Sequence, residues 1–273
     1  MWAGGSMKWY NDKPLKVGDE VEEVTRIASA VAKKSKSRNS ANGGGDDMVL
    51  VDVEKSLFDS DRNLCLVDRR SWIFRKPLAT LSQPSPDYST SRNSSPPESY
   101  KTEIRDDPDK GIRHFRFSPV SLFRFSALTF NAHMIHYNEA WTRQREGHPN
   151  VVVHGPLNLI NVVDFWRDSF SSHKKVGTEH KAMMEQLSQH EVTVTYRALA
   201  PIYAGERFTM EMSTPPRVGK EEGHDNDGRN VIAVKKKKKT VGEDRVGEVE
   251  EEVVCMTAEI AWVLPGPAPG IND

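Results

Sequence analysis

The hydrophobic rhythm of this chain alternates between two periods. Residues 20 to 32 (EVEEVTRIASAVA) and 48 to 56 (MVLVDVEKS) read as extended, paired segments. Residues 65 to 74 (CLVDRRSWIF) read as a third strand, rich in branched and aromatic side chains. The alanines between Ile27 and Ala32 also leave a helix open there. Apolar and polar residues alternate in twos in EVTVTYR (191 to 197), and RFTMEMS (207 to 213), VIAV (231 to 234) and VVCMTAEIAWVL (253 to 264) read as further strands, the last of them buried. In the middle the spacing lengthens to three and four. Phe123, Ala127 and Phe130 share one helical face behind a capping serine, and Leu157, Ile160, Val163 and Trp166 share another. Pro156 suits the first turn of that second helix.

Elsewhere the rhythm is lost. Residues 1 to 16 carry Gly4, Gly5 and Pro14 and read as turns. KKSKSRNSANGGGDD, from 33 to 47, reads as a flexible insertion between paired strands. From 80 to 110, serine, proline and charge leave almost nothing to offset the entropy of ordering. The five lysines 235 to 239 read as a solvated edge or hairpin. The expected organisation is therefore a first part over 1 to 79, a disordered linker over 80 to 110, a second part over 111 to 264 and a frayed tail over 265 to 273.

Composition narrows the partners. With 273 residues, 28% charged and a net charge of -1, the chain lacks the basic excess of a nucleic-acid binder. Two cysteines, Cys65 and Cys255, are too few for a disulfide framework and read as separate buried thiols. No apolar run is long enough to span a bilayer. The opening MWAGGSMKWYNDKPL reads as neither a secretory signal nor an arginine-rich presequence.

The chemistry concentrates between 123 and 160. Asn131, His133 and His136 fall within six residues, and His154-Gly155-Pro156 opens the second helical run. His136, flanked by Ile135 and Tyr137, can exchange protons near neutral pH, or can be a structural histidine. Asn131 can hold a water or hydroxyl. His133 and His136 could share a metal, but no HExxH pattern or other ligand spacing accompanies them, so metal is not expected. Gly155 at a helix start could offer its N–H to a carbonyl oxygen, or could merely permit a tight turn. Arg143, with Arg124, Arg145 and Arg197, could meet phosphates at a pocket mouth, although such residues are usually ordinary surface.

FRFSALTFNAHMIHYNEAW and VVVHGPL resemble the MaoC-like double hot-dog hydratases and dehydratases of acyl thioesters. That group includes the type 2 hydroxyacyl-thioester dehydratases and the mesaconyl-C4-CoA hydratases. MWAGG, PLKVGDEV, LVDRRSWIFR and VTYRALAPIYAGE extend the likeness to both parts of the chain. The resemblance implies an α+β double hot-dog fold, a curved antiparallel sheet around a central helix beginning near Gly155. It implies an incomplete N-terminal part, because relatives carry preceding sequence with that domain's own helix. It implies reversible dehydration of a (3R)-3-hydroxyacyl thioester, with neither metal nor redox cofactor. His136 then moves the proton and the Gly155 amide holds the thioester oxygen. Asn131, where the wider family has an aspartate, orients water. His133, His154 and Arg143 are expected to contact substrate. An acyl-ACP or acyl-CoA substrate, a mitochondrial or alternatively cytoplasmic location, and a homodimer or a pseudo-dimer within the chain also follow. The alternatives are a short-chain mesaconyl- or itaconyl-type CoA hydratase and a silent acyl-thioester-binding or partner subunit.

Overall fold

The computed structural model describes residues 1–10, 15–34, 47–75, 101–107, 110–171, 191–213, 228–241 and 248–263. Four strands come first: β1 (Trp2–Trp9), β2 (Glu22–Lys34), β3 (Asp47–Phe58) and β4 (Leu64–Arg75). A hairpin follows, β5 (Glu103–Asp107) and β6 (Ile112–Arg116), then the helices α1 (Pro119–Leu128), α2 (Glu139–Gln144) and α3 (Gly155–Ser171). The last strands are β7 (Glu191–Ala198), β8 (Arg207–Ser213), β9 (Gly228–Val241) and β10 (Glu248–Val263). All ten form one sheet in the order β2-β3-β4-β1-β7-β10-β9-β8-β6-β5.

Each neighbouring pair in this sheet is antiparallel. The seam between its two halves is β1, which pairs with β4 on one side and β7 on the other. The turn-rich expectation for the N-terminus is therefore corrected. Gly4 and Gly5 sit inside a strand because their backbone lies against its neighbours. A Cβ on Gly5 would fall 2.0 Å from the Arg69 carbonyl oxygen, and one on Gly4 2.6 Å from that of Tyr196.

The core lies where α3 packs on the second half. Alternate residues point at the helix: Val194 and Tyr196 from β7, Phe208 and Met210 from β8, Ile232 and Val234 from β9, Ala258 and Ile260 from β10. The buried face of α3 is Leu159, Val162, Phe165 and Trp166. Ile160, expected to face inward, is 49% exposed. A helix advances about 100° per residue, so a one-position slip in reading its stripe turns a core residue outward. Burying each of these large side chains contributes roughly 1.5–3 kcal/mol. Trp166 is completed by a buried hydrogen bond from Nε1 to Asn230 Oδ1 at 3.0 Å. Arg113 on β6 reaches Asp168 at 3.0 Å and ties the β5–β6 hairpin to α3. A sheet laid on one long buried helix in this way is the hot-dog arrangement.

The first half differs. Its described residues include no helix, and β2 is exposed along nearly its whole length, with Ile27 at 72%. Its strands are laced by ion pairs and hydroxyls instead. Glu54 is buried between Arg26 and Arg69, and Asp52 accepts from Ser29 and Ser71. The helical option at Ile27–Ala32 is overruled by pairing of β2 with β3. Cys65 and Cys255 are both buried and free.

One further expectation changes. Residues 103 to 107, assigned to a linker, form β5 at the sheet edge. The rest of that linker lies largely outside the described residues, as do most of the glycine-rich insertion and the tail. The lysine run lies on the β9–β10 hairpin, and from Lys237 onward it pairs with β10 alone, because the pairing with β8 ends at Lys236. Its charges are matched across the strands: Lys235 with Glu211 and Glu252, Lys236 with Glu206, Lys237 with Glu250. Among the described residues no helix is long and apolar enough to cross a membrane.

Candidate active site

The site is built by three short segments that converge on the start of α3. The first is α1. Ser118 caps it, its hydroxyl accepting from the Ser121 amide at 3.1 Å, with Pro119 in the first turn. Leu122 and Ser126 form its buried side, whereas Phe123, Ala127 and Phe130 face outward. Of the face expected for Phe123, Ala127 and Phe130, the first two lie on the solvent side of α1, and Phe130 falls beyond the end of the helix. After α1 the chain reverses through Phe130, which takes a left-handed φ of 51°. The Asn131 amide then donates to the Ser126 carbonyl at 2.9 Å.

The second segment is a single 3-10 turn, Met134–His136, followed by α2, whose cap is Asn138. Asn131 Oδ1 accepts from the His133 amide at 3.1 Å and holds the entry to this turn. The third segment is Val151–His154. Its backbone is clamped on two sides. Val153 donates to the Ile202 carbonyl and Ala204 to that of Val151, while Val152 donates to Ile135. This clamp places the Val152 carbonyl under His136 and His154 beside it.

His136 is 7% exposed, and its Nδ1 lies 2.8 Å from the Val152 carbonyl oxygen. A carbonyl only accepts, so Nδ1 carries the proton and Nε2 keeps its lone pair. His154 stacks on His136 with ring centroids 3.7 Å apart and planes 17° from parallel. His154 has no exposed surface, and its Nε2 lies 2.8 Å from Ser126 Oγ. The Phe125 ring closes its other side edge-on at 4.8 Å. His133 meets His136 edge-to-face at 5.7 Å.

Burial governs the protonation of this cluster. It pushes the His136 pKa down to about 4, against the Val152 carbonyl, which favours the charged form, and helped by His133. Burial, then His136 and His133, push His154 down to about 3. The partly exposed His133 is lowered as well, again mainly by burial. At neutral pH the stacked pair is uncharged, and His136 presents a free base.

Gly155 occupies the first position of α3, where the opening amides have no acceptor within the helix. A Cβ at Gly155 would fall 2.2 Å from the Trp2 ring, which itself stacks on Tyr196 at 4.8 Å. The absent side chain is therefore explained by the seam strand. Arg143 lies on α2 and pairs with Glu139 at 2.6 Å, and Arg145 lies over the Trp141 ring. Among the described residues no group of three His, Cys, Asp or Glu side chains is arranged to hold a metal ion.

The structure thus joins His136, His133 and His154 in one contact group, with Asn131 on the loop beneath and Gly155 next in chain. Ser126, Val152 and Trp2 belong to this neighbourhood and were missed from the sequence. Ser126 alone left a trace, four residues after Leu122 on the inner stripe of α1.

Proteins that this chain is similar to are named as dehydratases and hydratases. The chain is 28% identical over 167 residues to mesaconyl-C(4)-CoA hydratase of Chloroflexus aurantiacus, a match covering 61% of this chain and 50% of that one. It is 24% identical over 187 residues to the mitochondrial hydroxyacyl-thioester dehydratase type 2 of Schizosaccharomyces pombe, covering 62% and 51%. The matches thus take in about half the length of these relatives. Among solved structures, a MaoC-like dehydratase superposes with a TM-score of 0.52 at 14% identity, over 97% of this chain and 75% of the other. HtdX from Mycobacterium tuberculosis does so with a TM-score of 0.51 at 13% identity, over 95% and 75%. These likenesses carry the hot-dog fold. The family model for hydroxyacyl-thioester dehydratase type 2 matches residues 1–204, from the seam strand through α3 and β7, and on that match the chain belongs to this family.

Proposed function

We propose that the chain carries the catalytic half of a hydro-lyase that interconverts a (3R)-3-hydroxyacyl thioester and its trans-2-enoyl thioester. The observation that carries this reading is His136. It is buried and uncharged, with Nδ1 committed to Val152 and Nε2 left as a base, its ring stacked on His154, the residue that precedes the buried helix. Family membership supplies the reaction class.

In the dehydration direction the thioester oxygen lies at the α3 N-terminus, against the Gly155 N–H. Withdrawal of charge onto that oxygen makes the C2 proton acidic. His136 Nε2 takes this proton and becomes an imidazolium. The electron pair from C2 forms the C2–C3 double bond, and the C3–O bond breaks. The leaving hydroxide takes the proton from His136 and departs as water. Asn131 has its Oδ1 engaged by the His133 amide, so its NH₂ is the side that steadies the hydroxyl. An amide cannot ionise, and the proton load rests on His136 alone.

The substrate is read as an acyl chain on ACP or CoA, with His133 at the substrate side of the base and Arg143 at the mouth. The setting is read as mitochondrial fatty-acid synthesis; the name of the S. pombe relative, a mitochondrial hydroxyacyl-thioester dehydratase, supports the compartment and the reaction. A second reading, hydration of mesaconyl-CoA, is supported by the match to the Chloroflexus enzyme.

A hydration assay with crotonyl-, longer enoyl- and mesaconyl-CoA tests both. We expect turnover of a straight-chain enoyl-CoA, reduced about 100-fold or more in H136A. Preference for mesaconyl-CoA would select the second reading. Wild-type rates in H136A, or no turnover of any substrate, would overturn the assignment of His136.

A further inference from the structure

The proposed mechanism uses one edge of His136 and leaves its covered face without a role. That face is occupied by His154, whose placement is unusual for a residue that only fills space. His154 is wholly buried yet polar. Its Nε2 is held by Ser126 Oγ, which fixes the rotation of the ring. Its Nδ1 is buried and has no hydrogen-bond partner among the described residues. Such an atom carries a stability penalty that an apolar ring of the same shape would avoid.

The two tautomers are not equivalent. With the proton on Nδ1, a buried N–H would be orphaned. With the proton on Nε2, donated to Ser126, Nδ1 is a bare acceptor, which folded proteins tolerate better. The second arrangement sets against His136 an aromatic face that carries partial negative charge at the bare Nδ1, whose lone pair itself lies in the ring plane. Face and partial charge both favour a positive charge on the facing ring.

On the function proposed above, we infer that His154, anchored by Ser126, is a positioning residue for His136. It fixes the plane of the reacting imidazole and supports the charge that imidazole carries while it holds the substrate proton. Ser126 sets the tautomer in which His154 can do so. The other groups acting on His136 are the Val152 carbonyl at Nδ1 and His133 at its edge. His133 is in turn acted on by Glu146, the Met1 ammonium and His148. None of these lies on the stacked face.

The test compares H154F, S126A, S126T and H136A by steady-state hydration of an enoyl-CoA. It adds imidazole NMR titration of His136 in the ligand-free protein, with thermal unfolding as the check on folding. Phenylalanine keeps a flat ring and removes both nitrogens. In H154F we expect kcat to fall about 10-fold or more with KM changed less than about twofold. The His136 midpoint should drop further below its wild-type position. S126A should move both readouts the same way and S126T, which keeps the hydroxyl, should restore them. A folded H154F with wild-type kcat and wild-type His136 titration overturns the inference, while an inactive H136A leaves the base assignment standing. Should H154F fail to fold, equal kcat in S126A and S126T overturns it. Wild-type activity in H136A removes the base assignment and the inference with it.

Discussion

The six-membered ring of Trp2 fills the space where a side chain on Gly155 would be. The first strand of the chain thus packs directly on the first residue of the buried helix. The helix end that carries the amide at the site is seated by the seam of the sheet, and Trp2 is itself stacked on Tyr196 of β7. A Cβ at Gly155 must displace the ring or the helix end. We expect G155A to cost about 1–3 kcal/mol in denaturant unfolding, as overpacking does. In a W2A background the same substitution should cost much less, because the obstructing ring is gone. Equal costs in the two backgrounds would show that the ring contact is not the reason for glycine.

A second prediction concerns Asn131. Its Oδ1 closes a turn onto the His133 amide. Aspartate offers the same acceptor, so N131D should keep the stability of the parent within about 0.5 kcal/mol, whereas N131A should lose about 1 kcal/mol. In activity N131A should lower kcat more than it raises KM, since the carboxamide is assigned to the leaving hydroxyl rather than to the carrier. An N131A enzyme with unchanged kcat would remove Asn131 from the reaction.

Phe130 adopts a left-handed backbone and is 96% exposed, so its side chain repays little of the strain. Glycine takes that conformation without the Cβ penalty of about 1–2 kcal/mol, partly offset by its greater freedom when unfolded. F130G should therefore raise stability by roughly 0.5–1 kcal/mol. A rise in the unfolding midpoint at constant denaturant slope is the expected signature, and a fall would mean that the exposed ring has a partner.

The stacked imidazoles make stability depend on acid. Both titrate well below the 6.5 of a free histidine, His136 at about 4 and His154 at about 3. Above pH 6.5 neither the folded nor the unfolded chain protonates them, and their full stability is present. Between 6.5 and about 4 the unfolded chain binds protons that the folded one refuses. Stability is lost over that window at up to about 1.4 kcal/mol per pH unit for each histidine. Unfolding midpoints measured from pH 7 to pH 4.5 should fall, and H136Q should flatten the slope. The same depression keeps His136 a free base, so kcat/KM should show no acidic limb near pH 6.5.

Much of this was legible in the chain. The pattern that marked β7, β8, β9 and β10 is a direct record of which side of the sheet faces α3, whereas the segment read as β2 forms a strand that is exposed along nearly its whole length. The capping serine at 118 announced α1 because a cap acts locally. What could not be read depends on residues distant in sequence. Gly4 and Gly5 suggest a turn until Arg69 and Tyr196 are seen to approach them. EIRDD has no strand signature of its own and is ordered by pairing with β6. Ile160 was placed inward because a four-residue stripe does not fix the phase of a helix. At the site, His136 and Gly155 stand out by residue type. Ser126 becomes informative only when His154 is brought to it from 28 residues away.

The position of β1 also has a bearing on how the chain reaches this state. Made before the other nine strands described, it can join β4 as soon as residue 75 exists, but its other neighbour is β7, and Gly4 pairs with Arg197. Through most of synthesis one long side of β1, with Trp2, Met7 and Trp9, has no strand beside it. Contacts so remote in sequence form slowly and leave an open edge available for wrong pairings. The helix, the two halves of the sheet and the Trp2 seat are thus expected to lock together in a late, concerted step, and refolding should be slow and prone to aggregation at high concentration.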